Sequence, residues 1–379
     1  MKKKLLILTT ALFIAGQSFA QLKLWQKGVV TDEFIYEKAP YPECHASTIA
    51  ETPTGFVASW FGGTKERNPD VCIWVSRLVN GKWTEAINVA NGIQNDTLRY
   101  PTWNPVLYQI PGGDLLLFYK IGPSPSTWKG FMRSSKDGGI TWSEQKALPP
   151  GFLGPIKNKP VLLKDGITLM SPSSTEGNGW QVHFEATKDW GKTWTMIGPI
   201  NPPKDSVNAI QPSILFHKDG SLQILARSLN RAVLTSWSKD KGKTWSPLAK
   251  TSLPNNNSGT DAVTLQDGRQ LLVYNHVLPP GKLTKGARTP LNVAISNDGI
   301  KWYAAAILED SPISQYSYPS VIQAKDGKVH IVYTWRRQRI KHVVIDLSKV
   351  QLKEIKDGVW PAMAGYTAPV VKDGNTKEL

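Results

Sequence analysis

The chain is poor in the groups that build metal and redox centres. It holds two cysteines and six histidines in 379 residues, and no Cys/His spacing resembles a zinc site. No metal and no cofactor is therefore expected. Cys44 and Cys72 fall in one stretch of the chain, where they can pair or stay apart as two buried thiols. Acidic residues are also scarce: 30 Asp and Glu stand against 45 Lys and Arg, for a net charge of +15. The cations are scattered, and no nucleic-acid-binding signature accompanies them, which argues against nucleic acid. The charge then serves solubility or an acidic polysaccharide partner.

An apolar stretch over residues 5–15 is too short to span a membrane comfortably. It follows Lys2, Lys3 and Lys4 and precedes Ser18-Phe19-Ala20, a small-x-small cleavage site. That order reads as a secretory signal peptide over residues 1–20, cleaved after Ala20. No cysteine follows the site to carry a lipid anchor. The expectation is a secreted or periplasmic monomer, with one domain over residues 21–379 and a charge of +12 once the three leader lysines are gone.

What the chain has in quantity is turns, with 31 Gly and 27 Pro. An apolar strand, a tight turn ending in Gly and a second apolar strand recur six times. The turns end at Gly55, Gly113, Gly166, Gly220, Gly268 and Gly327, 48 to 59 residues apart, and four are Asp-Gly. Asp-Gly supplies the positive φ of two-residue hairpins. After five of the hairpins comes a second mark ending in Trp. Residues 135–142 and 238–245 read Ser-x-Asp-x-Gly-x-Thr-Trp in full, and 187–194 has Thr for Ser. Residues 296–302 are one short, and 76–83 keep only the ends. A period near 50 with four strands per repeat predicts an all-β, six-bladed propeller. Residues 28–37 are expected to supply the outer strand of the last blade and so remove an open edge.

The repeat assigns faces. Strands alternate in direction, so both kinds of turn share one face. The opposite face carries the starts of the innermost strands and the ends of the second strands. There lie His45, Lys157, Asn158, Gln211, Asp261, Tyr316, Tyr318, Arg227, His276 and Arg336, with Glu66, Asp70 and Arg288 in following loops. Aromatics and cations gathered at strand ends suit a sugar site.

The Trp-ending turns resemble the BNR repeats, or Asp-boxes, of the sialidase (neuraminidase) superfamily, whose architecture is also six blades. The resemblance covers essentially the whole mature chain. It implies a carboxylate gripped by arginines, a tyrosine nucleophile activated by Glu, and an Asp acid/base. Arg227, ending 222–227, resembles the second arginine. Arg288, before the strand Leu291-Asn292-Val293-Ala294-Ile295-Ser296, resembles the third, and Tyr316-Ser317 the nucleophile. His45 stands where the first arginine is expected and Gln211 where the Glu is expected. Asp70 is the nearest match to the acid/base, with Glu66 behind it. Three functions follow as expectations. One is an exo-acting glycosidase releasing a terminal acidic sugar, with Tyr316 and Asp70 at the bond. The second is a uronate lyase in which His45 takes a proton and Tyr316 gives one. The third is a carbohydrate-binding propeller without chemistry.

Overall fold

A computed structural model describes residues 24–177, 179–201, 207–363 and 366–368. The leader expected over residues 1–20 lies outside them. The described chain is six antiparallel sheets arranged as a six-bladed β-propeller. Among the described residues the only helical elements are two 3-10 turns, Leu24–Gln26 and Leu347–Lys349. No described helix is long and apolar enough to cross a membrane.

The innermost strands of blades one to six begin at Glu43, Thr102, Val161, Ala209, Asp261 and Tyr316. The last blade is completed from the N-terminus: Val29–Phe34 pairs antiparallel with Arg339–Ile345. The expected closure is thus present, and it gives the outermost ladder of blade six its partner. The fifth blade gains an outer strand that the repeat did not announce, Lys353–Glu354 against Trp302–Glu309.

The Gly turns differ in detail from two-residue hairpins. In blades four, five and six, three residues separate the pairs His217–Ser221, Leu265–Arg269 and Ala324–Lys328, each closed by a backbone bond. Gly220, Gly268 and Gly327 take φ of 88°, 90° and 83°. This is a type I turn followed by a left-handed residue, which is why Gly stands third. The Trp-ending turns are held by their aspartates. Asp137 accepts from Ser135 Oγ at 2.8 Å and from Thr141 N at 2.9 Å, and Asp240 repeats both bonds with Ser238 and Thr244. These bonds hold the Asp137, Asp189 and Asp240 carboxyls down to about 2. The tryptophans are structural: Trp302 is buried between strands, and Trp194 and Trp245 each donate to a turn carbonyl at 3.1 Å.

Four innermost strands share one irregularity. In blades one, two, four and six an extra residue is inserted between His45 and Thr48, Trp103 and Val106, Ile210 and Ser213, and Ser317 and Ser320. The residue after the first of each pair is left-handed: Ala46, Asn104, Gln211 and Tyr318 have φ of 57°, 36°, 55° and 54°. Such a backbone costs about 1 kcal/mol or more per non-glycine residue. β-bulges re-aim side chains, and these four lie near the starts of the innermost strands of their blades.

Candidate active site

Tyr318 is the centre of the cluster that the bulges create. Its hydroxyl accepts from Arg227 Nη1 at 2.6 Å and lies 3.4 Å from Gln211 Nε2. The guanidinium carbons of Arg227 and Arg288 lie 5.7 and 5.6 Å from the centre of its ring, and Lys157 Nζ lies 5.7 Å from it. The imidazole of His45 packs against the same ring, centroids 4.0 Å apart. Residues from blades one, three, four and six, and from the loop leading to the third strand of blade five, thus meet on one phenol.

Each partner is itself held. Arg227 donates through Nε to Asn257 Oδ1 at 3.0 Å and through Nη1 to Gln211 Oε1 at 3.3 Å, and its guanidinium lies 5.1 Å from the Trp180 ring. Arg288 donates to Gln315 Oε1 at 2.8 Å. Burial, with Arg337 and Arg227 nearby, pulls Arg288 down to about 10, so it stays charged at neutral pH. Lys157 is buried and donates to Asn158 Oδ1, Thr260 O and Pro319 O at 2.8, 3.0 and 2.6 Å. Burial lowers its amine to about 7. His45 is 3 % exposed, and its Nδ1 lies 2.9 Å from Thr334 Oγ1. Burial pushes its pKa well below the usual imidazole value, helped by Arg337, Arg288, Arg227 and Lys157. His45 is therefore neutral at pH 7, and the same burial and nearby cations oppose its taking up a proton.

Several expected residues lie elsewhere. Tyr316 was expected as the nucleophile, but its hydroxyl accepts from Arg336 Nε at 3.1 Å and its ring belongs to the core between blades five and six. Tyr316 and Arg336 thus satisfy each other, while Tyr318 faces Arg227. Arg337 pairs with Glu66. Asp70 was expected as the acid/base. It is exposed and accepts from Thr64 N and Oγ1 at 2.7 and 2.6 Å, closing the loop it ends.

Asp261 is a structural brace. It accepts from Ser213 Oγ and Val321 N at 2.9 and 2.8 Å and pairs with Lys159 at 2.8 Å. Asn158 donates to Gln211 O and Ser213 Oγ, fastening blade three to blade four. His276 lies between Tyr274 Oη and the carbonyl of Gly358, at 2.5 and 2.9 Å, away from the phenol. Cys44 and Cys72 are unpaired, because both register on Gly62 from opposite sides of the strand between them.

One further carboxyl group lies at the site. Glu176 sits on the segment between Thr175 and Trp180. That segment is pinned to the cluster at both ends: Ser174 Oγ accepts from Gln211 N at 3.2 Å, and Trp180 faces Arg227. Burial raises the Glu176 carboxyl; Glu66 adds to this, while Arg227 and Arg67 oppose it. Such a carboxyl keeps its proton to higher pH, as a general acid requires. The hairpin repeat puts Glu176 at the end of the second strand of blade three, just past Leu169–Thr175, but assigns it no role. Among the described residues, no group of three His, Cys, Asp or Glu is placed to hold a metal.

Residues 54–331 match the BNR repeat-like domain. The chain is 28% identical over 240 residues to a sialidase from Paraclostridium sordellii; the match spans 55% of this chain and 57% of that relative's length. Among solved structures, an unknown-function protein from Dyadobacter fermentans aligns over 86% of this chain and all of its own, at 18% identity and a TM-score of 0.67. A mutant of the NanB sialidase of Streptococcus pneumoniae aligns over 84% of this chain and 71% of its own, at 12% identity and 0.66. An alpha-L-arabinanase from Penicillium chrysogenum aligns over 85% and 99%, at 15% identity and 0.61. The structural likenesses establish the fold. The chain belongs to the BNR repeat-like family and is a sialidase-like member of it.

Proposed function

We propose that this propeller is an exported glycan-cleaving enzyme, an exo-acting glycosidase that removes a terminal acidic sugar. The observation that carries the reading is the pair of arginines on one phenol, with Arg227 and Arg288 5.7 and 5.6 Å from the Tyr318 ring. Two guanidinium groups at that separation from a shared centre suit a carboxylate, which they bind with charge-assisted, directional hydrogen bonds. The carboxylate fixes the sugar ring over Tyr318. Tyr318, keeping its proton, stabilises the cationic anomeric carbon with its oxygen as the C–O bond breaks, and Glu176 passes its proton to the departing glycosidic oxygen. Water completes the release and returns a proton to Glu176.

Gln211 favours a second reading. A carboxamide cannot take the tyrosine proton, and Gln211 is the group 3.4 Å from the Tyr318 hydroxyl. Beside the phenol stands a neutral imidazole, His45, at 4.0 Å. On a uronic acid, arginines that neutralise the carboxylate acidify the adjacent C–H. His45 would remove that proton, the C–O bond one carbon further would break, and Tyr318 would protonate the leaving oxygen, leaving a C=C bond.

One experiment separates the readings. The mature protein is incubated with sialosides, uronate-capped oligosaccharides and acidic plant polysaccharides, and products are read by mass. Hydrolysis gives products that sum to substrate plus one water. Elimination gives products that sum to substrate alone, one of them absorbing in the near ultraviolet. Release of neutral sugars only, or of nothing, contradicts both.

A further inference from the structure

Blades three and six stand opposite each other in a six-bladed ring, and one buried side chain joins them. Lys157, 3 % exposed, precedes the innermost strand of blade three. Its Nζ donates to Pro319 O of blade six at 2.6 Å, to Thr260 O at the entry to blade five at 3.0 Å, and to Asn158 Oδ1 at 2.8 Å. Asn158 in turn donates to Gln211 O of blade four at 2.9 Å. The lysine stem runs over Gly259, where a Cβ would meet Lys157 Cε at 2.9 Å.

The segment that delivers Lys157 is held by buried polar side chains. Glu185 accepts from Leu153 N and Gly154 N at 3.0 and 2.6 Å, Lys120 donates to Pro155 O, and Asn104 donates to Ile156 O at 3.2 Å. Glu185 and Lys120 are fully buried. Charges are costly to bury without partners, and these find theirs in the backbone of residues 153–155, which fixes the point from which Lys157 reaches across.

At the far end lies the bulge that aims the phenol. Tyr318 and Pro319 fall between the ladder pairs of Ser317 and Ser320, Tyr318 is left-handed, and Pro319 has no N–H to offer. A buried carbonyl outside the ladder needs a donor, and Lys157 supplies one to the residue next to Tyr318. The same Nζ lies 5.7 Å from the centre of the Tyr318 ring. An ammonium has three N–H bonds and meets three acceptors here. A neutral amine has two and leaves one acceptor without its bond.

We propose that Lys157 is the positioning residue for Tyr318: its ammonium holds the Pro319 carbonyl, and with it the bulge that points the phenol at Arg227. The inference rests on the glycan-cleaving reading above, and it serves hydrolysis and elimination alike because both use the Tyr318 oxygen. It makes the lysine's proton a condition of turnover. Burial, with Lys159 and Arg227, favours the neutral amine and Asp261 favours the ammonium, so that Lys157 titrates at about 7. Neutral His45 and the Tyr318 ring complete its surroundings. Activity should therefore fall as pH rises through neutrality.

The test uses the full mature chain, as wild type, Lys157→Met and Gly259→Ala. Gly259→Ala displaces the stem and leaves the amine, its Cβ also approaching Gln211 Oε1 at 3.2 Å. From about pH 5.5 to 8.5, kcat and KM are measured on an acidic sugar carrying a nitrophenol at the bond to be broken, in the sialic and uronic series. That leaving group does not need Glu176, so the titration of Glu176 does not set the profile. Over the same range the phenol carbon of Tyr318 is followed by NMR in tyrosine labelled with carbon-13, its resonance assigned by its loss in Tyr318→Phe. Melting temperature checks folding. The expected wild-type result is a one-proton step near neutrality in both kcat and the Tyr318 resonance, with KM nearly constant. Lys157→Met should lose the step from both and lower kcat at the acid end by about 10²-fold, the scale of a misplaced reacting group. Gly259→Ala should lower kcat and move the Tyr318 resonance in the same direction. A folded Lys157→Met that keeps the step, or that loses melting temperature alone, overturns the positioning role and leaves the acidic-sugar reading intact. If Lys157→Met does not fold, an unchanged kcat and Tyr318 resonance in Gly259→Ala overturns it instead. If nothing is cleaved but the resonance step is present in wild type and absent in Lys157→Met, the positioning role stands and the cleavage reading fails. If neither cleavage nor the step is seen, both fail.

Discussion

The phenol oxygen of Tyr318 and Nη1 of Arg227 are 2.6 Å apart, while Tyr316, two residues earlier, gives its oxygen to Arg336 at 3.1 Å. The strand Tyr316–Gln323 thus carries two tyrosines with different work. Tyr318→Phe should leave the melting temperature near that of wild type and lower kcat by about 10²–10⁴, the scale of a lost proton-transfer group. Tyr316→Phe should cost about 1 kcal/mol of stability, the net worth of one hydrogen bond, with kcat changed far less. Steady-state kinetics and thermal melts on the two variants check the assignment.

The difference between the tyrosines was partly legible. Hairpin spacing and Trp-ending turns indicate six blades, and the Val-rich segment near the N-terminus indicates how the ring closes. The site was harder, because its geometry comes from bulges with non-glycine residues at positive φ, a state the residue types do not announce. A signal was nonetheless present. Asn104-Pro105, Gln211-Pro212 and Tyr318-Pro319 repeat one Xaa-Pro pattern, and all three first members are the left-handed bulge residues. Matching Tyr318 to Gln211 by that pattern selects Tyr318. Asp261 and Asn158 were misread because a buried polar residue at a strand start looks the same in sequence whether it faces a ligand or braces the next blade. Glu176 falls at a second-strand end, as Arg227 does, but its residue type does not show that the two approach each other.

Arg227 and Arg288 are expected to need their forked shape as well as their charge. Replacing either with Lys keeps a cation but loses the bidentate grip and the planar contact with Tyr318. Each Arg→Lys variant should lower kcat/KM by about 10²-fold or more on acidic glycosides, on the scale of a disrupted buried charge pair. A tenfold or smaller effect in both would remove the arginines from carboxylate recognition.

Glu176 as proton donor predicts a dependence on the leaving group. Glu176→Gln should slow release of sugar leaving groups by about 10²–10⁴. It should slow release of an acidic nitrophenol much less, since that group departs without help. Equal losses on both substrates would assign Glu176 to binding. Asp70→Asn, by contrast, should act through the loop it closes and show no leaving-group dependence.

Stability should fall on the acid side of neutrality because of buried histidines. The folded protein lowers His45 well below its usual value and holds His276 and His330 at about 4, chiefly by burial. An unfolded histidine takes up its proton near pH 6.5, so between about 6.5 and 4 the unfolded chain binds more protons. The stability these groups lend is complete above pH 6.5 and is lost as pH falls through that window. Each extra proton adds a slope of about 1.4 kcal/mol per pH unit. Denaturant titrations at pH 7, 6 and 5 should show the decline, and His276→Asn should make it shallower. A pH-independent midpoint over that range would contradict the burial of neutral imidazoles.

The central claim, that Arg227 and Arg288 hold a substrate carboxylate over Tyr318, is tested most directly by removing the charge from the substrate. Once a cleaved acidic glycoside is identified, kcat/KM is measured for it and for its methyl ester with wild type and with Arg227→Lys. The account predicts that esterification costs wild type about 10²–10³-fold, the scale of a disrupted buried charge pair, and costs the Arg227→Lys variant far less. An ester cleaved by wild type as fast as the free acid would contradict it.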